Sequence, residues 1–123
     1  MVDTSVWSEH FRNTNPMLVD LARNDKVLIH PLVIAELACG TPPEPRQRTL
    51  SDLEHLVPVV EATFGEVREL IEREKLFGQG CGFVDFALLA STLITPGASL
   101  WTLDMRLLQL AKRFGVNYAP VFH

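Results

Sequence analysis

The apolar residues of this chain fall into short blocks whose spacing alternates between that of strands and that of helices. Apolar runs predict short buried strands at residues 27–29, 57–60, 99–102 and 116–119, with residues 1–2 as the end of a first strand. Between them, three- and four-residue spacing predicts helices at residues 4–11, 16–22, 31–39, 46–56, 61–77, 83–94 and 104–114. Strands that alternate with helices predict an α/β sandwich with a mostly parallel sheet. We expect one domain over residues 1–123, without an internal repeat or linker.

Two of the predicted helices, residues 31–39 and 83–94, are apolar on nearly every side, which is typical of buried helices. Each nevertheless carries one carboxylate, Glu36 in the first and Asp85 in the second. A buried carboxylate is costly unless it is paired, hydrogen-bonded or bound to a metal. A structural role is the alternative: Asp85 could lie in the first turn of its helix, where free N–H groups stabilise an acid, and Glu36 could pair with an arginine.

Two further acids, Asp3 and Asp104, each follow a predicted strand at a strand-to-helix turn. Either one alone is explained as a helix N-cap. Ligands of parallel sheets bind at the carboxyl ends of the strands, so the four acids could meet in one cleft. Because gathered carboxylates repel each other, such a cluster predicts a site for a hard cation, Mg²⁺ or Mn²⁺.

One ion, or two, could activate water and stabilise the leaving oxygen in phosphodiester cleavage. Three hydroxyl groups beside the acids, those of Thr4, Ser5 and Thr102, are candidates to orient a carboxylate or a water. Helix capping is an equally good explanation for Ser5.

The charge balance does not exclude a nucleic-acid substrate, although the net charge is −4. Setting the four candidate acids aside leaves eleven of the 15 acidic residues, which balance the 11 lysines and arginines. The composition therefore argues only against a broad basic binding face. Arg46, Arg48 and Arg106 are candidates for phosphate contacts, with ordinary surface charge as the alternative for each.

The remaining composition favours a cytoplasmic protein. Two cysteines, Cys39 and Cys81, form no C-x-x-C pair, and we expect both to be reduced and near the core. Four scattered histidines lack the spacing of a zinc site. No apolar run is long enough to cross a membrane, and Met1-Val2-Asp3 does not resemble a signal peptide.

Four motifs together resemble those of PIN domains, and more narrowly those of VapC-type toxins of bacterial toxin–antitoxin pairs. They are V-D-T-S-V-W at residues 2–7, I-A-E-L at 34–37, G-x-x-D-x-x-L-L-A-S at 82–91 and T-x-D-x-x-L at 102–107. The match covers essentially the whole chain. It departs from the family in the first strand, since only two residues precede Asp3.

The resemblance implies an α/β/α sandwich and an Mg²⁺- or Mn²⁺-dependent endoribonuclease whose acidic quartet is Asp3, Glu36, Asp85 and Asp104. In-line attack by activated water would leave a 5′-phosphate and a 3′-hydroxyl. The resemblance further implies a homodimer and inhibition by a cognate antitoxin protein. Two alternatives remain: a PIN-like interaction protein with weak or no cleavage, and a DNA nuclease with the same site, since no residue pattern here reads a 2′-hydroxyl.

Overall fold

The strands of this protein are short and run parallel to their partners. The computed structural model describes residues 1–120. Its elements in chain order are α1 (Thr4–Arg12), α2 (Pro16–Arg23), β1 (Leu28–Ile29), α3 (Pro31–Ala38), α4 (Arg46–Glu54), β2 (Val57–Pro58), α5 (Phe64–Arg73), α6 (Phe83–Ile94) and α7 (Met105–Arg113). β1 pairs with β2 in parallel, with Leu28 opposite Val57. The predicted α/β class with a small parallel sheet is confirmed.

The other three predicted strands form single parallel bridges rather than strands, joining Val2 to Trp101 and Leu100 to Asn117. The amide of Trp101 donates to the carbonyl of Met1, and the amide of Asp3 donates to the carbonyl of Trp101, both at 2.9 Å. This ladder fixes the backbone just before α1 beside the backbone just before α7. It therefore brings Asp3 and Asp104 to the same edge.

Side-chain caps set the start of several helices. Asn15 Oδ1 accepts from the amide of Leu18 at 3.1 Å, and Pro16 follows it as the first helical residue, as the sequence predicts. At α5, Thr63 and Glu66 form a reciprocal capping box. That box starts α5 at Phe64, three residues later than the periodicity predicts.

Helix α6 is the centre of the core, as its composition predicts. Residues 86–92 are all buried. Its side chains divide between two apolar clusters, with Leu88 in one and Phe86, Ala87, Leu89 and Ala90 in the other. Because each buried leucine contributes about 1.5–3 kcal/mol, α6 holds the two halves of the protein together.

Three predictions about burial are wrong. Helix α3 is not buried all round, since only Val33 and Leu37 are buried while Ala35 and Glu36 are exposed. Cys39 is exposed as well, and no disulfide joins it to Cys81. Phe64, expected to face inward, is 75% exposed, because it occupies the first position of α5, where its ring meets that of Phe83 with centroids 5.4 Å apart.

Within residues 1–120, no helix combines the length and the hydropathy needed to cross a membrane.

Candidate functional site

Asp3 is a buried acid held by two hydroxyl groups. Its side chain is 6% exposed, and Oδ2 accepts hydrogen bonds from Ser5 Oγ and Thr102 Oγ1, each at 2.7 Å. Although Asp3 precedes α1, its carboxylate makes no capping hydrogen bond. Helix capping therefore does not account for its burial. The hydroxyls instead fix the orientation of one carboxylate oxygen.

Asp104, in contrast, does cap a helix. Its Oδ1 accepts from the amides of Arg106 at 2.9 Å and Leu107 at 3.1 Å. The amide of Asp104 itself donates to Thr102 Oγ1 at 3.0 Å. Because the same Thr102 hydroxyl donates to Asp3, one side chain fixes the backbone of Asp104 and the carboxylate of Asp3 together.

Asp85 lies half-buried in the first turn of α6, where its Oδ2 accepts from the amide of Gly82 at 3.1 Å. Burial raises the pKa of Asp85, the Gly82 hydrogen bond opposes that rise, and the charges of Asp104 and Asp3 raise the pKa further. Asp3 and Asp104, although far from Asp85 in the sequence, thus lie close enough in the fold for their charges to act on it.

Glu36 lies on the exposed side of α3 and joins the same region through α1. Its Oε1 accepts from Thr4 Oγ1 at 2.6 Å. Thr4 directly follows Asp3. The alternative of an arginine partner for Glu36 is not realised: the ion pairs within residues 1–120 join Arg73 to Glu69 and Arg113 to Glu74.

The four acids share one arrangement: each is anchored through one carboxylate oxygen. The hydrogen bonds fall on Oδ2 of Asp3, Oε1 of Glu36, Oδ2 of Asp85 and Oδ1 of Asp104. The second oxygen of each has no hydrogen-bond partner in the described part of the chain. Such oxygens are the donors that hard divalent cations prefer.

Their spacing is looser than that of a closed metal site. No group of three or more His, Cys, Asp or Glu side chains among residues 1–120 lies close enough to hold an ion. The chemistry of the donor set fits Mg²⁺ or Mn²⁺, and binding by three or more of these acids requires them to come closer together than they lie in the structure.

Two of the three candidate phosphate-binding arginines are already engaged with backbone carbonyls. Arg46 donates through Nη1 to Gly40 at 3.0 Å and through Nη2 to Ala38, at the end of α3. Arg106 donates through Nη1 to Gly80 at 3.0 Å. Arg48 is exposed on α4. The phosphate contacts of all three remain predictions.

Sequence reasoning missed Arg12, the last residue of α1. It is exposed and, with Thr4 and Glu36, lines a cavity beside the acids. The only feature of the sequence that could have indicated Arg12 is its spacing from Thr4, because residues 4, 8 and 12 lie on one face of a helix.

Comparison with known proteins gives close relatives along the full chain. Over 119 residues, which cover 97% of this chain and 95% of the relative, the sequence is 43% identical to "Ribonuclease VapC32" of Mycobacterium tuberculosis strain CDC 1551 / Oshkosh. The protein of the same name in strain ATCC 25618 / H37Rv matches with the same identity and coverage. No family model matches the chain, and no solved structure matches it.

Proposed function

The chain belongs to the VapC family of PIN-domain ribonuclease toxins, and we propose that it is a metal-dependent endoribonuclease that acts as the toxin of a toxin–antitoxin pair. The observation that carries this proposal is the shared anchoring of Asp3, Glu36, Asp85 and Asp104, each through one oxygen. We further propose that the α/β chain forms the α/β/α sandwich of PIN domains.

Each anchor has a role in the proposed site. Ser5 and Thr102 hold the carboxylate of Asp3 in one orientation, and Thr4 does the same for Glu36. The amide of Gly82 keeps one oxygen of Asp85 occupied. Because each of these hydrogen bonds occupies one oxygen, the second oxygen of each carboxylate is left free to bind a cation.

The raised pKa of Asp85 supports a cation site. Burial and, to a smaller extent, the charges of Asp104 and Asp3 disfavour the charged form of Asp85 in the metal-free protein, and a divalent cation would offset both effects. When bound by Asp3, Glu36, Asp85 and Asp104, Mg²⁺ or Mn²⁺ would activate water and offset the charge of the phosphate. The water would give up a proton and add to the phosphorus as the bond to the 3′-oxygen breaks, and the released oxygen would take up a proton, leaving a 5′-phosphate and a 3′-hydroxyl.

The proposed partners follow from the family: an RNA substrate, a cognate antitoxin protein and a second copy of the chain in a homodimer. A cytoplasmic location is also proposed, with which the absence of a disulfide between Cys39 and Cys81 agrees.

The test is cleavage of structured RNA by purified protein in Mg²⁺ or Mn²⁺, with and without EDTA. Asp85→Asn should abolish cleavage. Asp52→Asn, a substitution of an exposed acid of α4, should not. A DNA strand of the same sequence should stay intact. Equal cleavage by wild type and Asp85→Asn would overturn the proposed role of Asp85, because the activity would then come from a contaminating nuclease or from a site that does not use this acid.

Metal binding is tested separately, by the melting temperature of the protein with and without Mn²⁺. Mn²⁺ should raise the melting temperature of the wild type more than that of Asp85→Asn. An equal rise for both proteins would show that Asp85 is not a ligand.

A further inference from the structure

A cavity of about 420 Å³ opens beside Glu36, between α1 and the loop that follows α3. One wall is apolar and comes from Phe11, Leu37 and Pro42. The polar part of the lining comes from Thr4, Ser8 and Arg12 of α1 and from Glu36. Its size and mixed lining are those of a site for a small organic group.

The charges at the cavity are separated. Arg12 lies at one end and Glu36 at the other, and neither takes part in the ion pairs of the described chain. A guanidinium without a carboxylate partner is suited to bind a phosphate through two parallel hydrogen bonds. Thr4 and Arg12 are about two helical turns apart, so Arg12 would contact a different phosphate from the one at the acids.

We propose that this cavity is a subsite for one nucleotide of single-stranded RNA next to the scissile phosphodiester. Arg12 binds the phosphate of that nucleotide, and the base packs against Phe11, Leu37 and Pro42. The inference rests on the proposed ribonuclease function. It adds a defined place for the flanking nucleotide and a residue that binds it.

A continuous connection between cavity and acids supports this assignment. The Thr4–Glu36 hydrogen bond of 2.6 Å forms the border between them. Because Thr4 and Glu36 also line the cavity, an RNA strand whose scissile phosphate lies at Glu36 has the cavity directly beside it. Apolar surface for a base next to a cation for a phosphate is how sequence-tolerant single-strand sites are built.

The first test measures binding without turnover. Fluorescein-labelled single-stranded RNA is titrated in Mg²⁺ with full-length Asp85→Asn, alone and combined with Arg12→Ala or Arg12→Lys. Arg12→Ala should weaken binding about tenfold and Arg12→Lys by less, because lysine keeps the charge without the fork. The slope of log affinity against log salt should fall by about 0.7 with the loss of one phosphate contact. Arg68→Ala, an exposed arginine of α5, is the matched control and should change neither quantity.

A second variant tests the base. Ser8→Phe fills the cavity without changing charge, and it should weaken binding while leaving the salt slope unchanged. Circular dichroism of each variant establishes that it is folded.

Kinetics separate binding from chemistry. In the active protein, Arg12→Ala should raise KM with kcat nearly unchanged, because Arg12 contacts a nucleotide that does not react. If the wild type cleaves RNA while Arg12→Ala and Ser8→Phe behave like it, the subsite is wrong and the nuclease stands. If the wild type neither binds nor cleaves RNA, both fail together.

Discussion

Arg106 Nη1 donates a hydrogen bond to the carbonyl oxygen of Gly80 at 3.0 Å, which ties the start of α7 to the glycine-rich loop before α6. Gly80 has a positive φ of 84°. A Cβ atom there would lie 2.6 Å from Arg106 Nη1. The loop carries Gly82, whose amide holds Asp85. Arg106 is thus placed to position the loop that orients a candidate acid.

Replacing Gly80 by alanine should displace the guanidinium of Arg106, while replacing Gly78 should not. Gly78 also has a positive φ, of 73°, but a Cβ atom there meets nothing within 4 Å. Both variants should lose about 1–2 kcal/mol to backbone strain. Only Gly80→Ala should also speed amide hydrogen exchange at Gly82 and lower cleavage.

The link to Arg106 is tested by a double-mutant cycle. In an Arg106→Ala background, the two glycine variants should become equivalent, because the displaced group is gone. Faster exchange at Gly82 in Gly78→Ala as well would show that strain alone, rather than the Arg106 contact, controls the loop.

Asp85→Asn should make the metal-free protein as stable as the wild type or more stable at neutral pH. The pKa of Asp85 is raised above 3.8 by burial and by the charges of Asp104 and Asp3, so its charged form is disfavoured in the fold. Asparagine keeps an oxygen to accept from the Gly82 amide.

The direction of the change in stability with pH follows from the difference in bound protons between the folded and unfolded states. Because the folded pKa lies above the unfolded value, the folded protein binds more protons between the two values, and stability falls as pH rises through that window. The advantage of Asp85→Asn should therefore grow as pH rises above about 3.8 and then level off. Urea unfolding in EDTA across this range measures it; a constant loss of stability at every pH would make Asp85 a structural residue.

The sequence predicts some residues of the candidate site and not others, because only some of them stand out by their neighbours in the sequence. Asp85 and Glu36 are recognisable because each is a lone charge in an apolar helix, and α6 is indeed central to the core. The exposure of Glu36 could not be predicted, because the composition of α3 does not say which faces have a packing partner.

The contacts of Arg46 and the surroundings of Arg12 could not be predicted from the sequence. Arg46 reaches back from α4 to the last carbonyls of α3, a contact set by the path of the intervening loop rather than by any periodicity. Arg12 is distinguished from the other arginines by lining the same cavity as Glu36, which the spacing of residues in the sequence does not reveal. Phe64 faces outward because the Thr63 cap, not the apolar spacing, decides where α5 begins.

Thr102→Val should destabilise the protein by about 1–3 kcal/mol, since it leaves the buried Oδ2 of Asp3 with one donor fewer. Thr102→Ser keeps the hydroxyl and should recover most of that loss. Denaturant unfolding of the two variants measures the difference. If serine is as destabilising as valine, the methyl group of Thr102 matters and its hydroxyl does not.

The protein should lose stability as the pH falls below about 6.5, in part through His30. Burial lowers the pKa of this histidine, with partial opposition from the charge of Glu61. Its neutral Nδ1 accepts from the amide of Leu32 at 3.0 Å and caps α3. Because the folded pKa lies below the unfolded one, the unfolded chain binds more protons in that window.

His30→Asn offers the same capping role without the titration. It should flatten the stability profile between pH 5 and 7, leaving the parts due to His10, whose pKa burial also lowers, and to the amino group of Met1, whose pKa burial lowers to about 6. An unchanged slope in unfolding experiments at several pH values would exclude His30 as a source.

Arg46 and Arg48 are two residues apart, yet replacing each by alanine should have different effects on protein stability. Arg46 supplies donors to the carbonyls of Ala38 and Gly40 at the end of α3, which otherwise lack partners. Arg46→Ala should therefore lower the free energy of unfolding by about 1–2 kcal/mol. Arg48 is exposed on α4, and Arg48→Ala should change stability by less than about 0.5 kcal/mol.

We expect the opposite order of effects on RNA binding, with Arg48→Ala changed more than Arg46→Ala. If Arg48 contacts phosphate, Arg48→Ala lowers both the affinity for RNA and its salt slope at unchanged stability. Arg46→Lys supplies the control, because it keeps the charge but not the two-carbonyl contact. If Arg46→Lys is as unstable as Arg46→Ala but binds RNA normally, Arg46 stabilises the end of α3, the helix that carries Glu36, and does not bind phosphate. If Arg46→Lys has normal stability but binds RNA more weakly, Arg46 contacts phosphate.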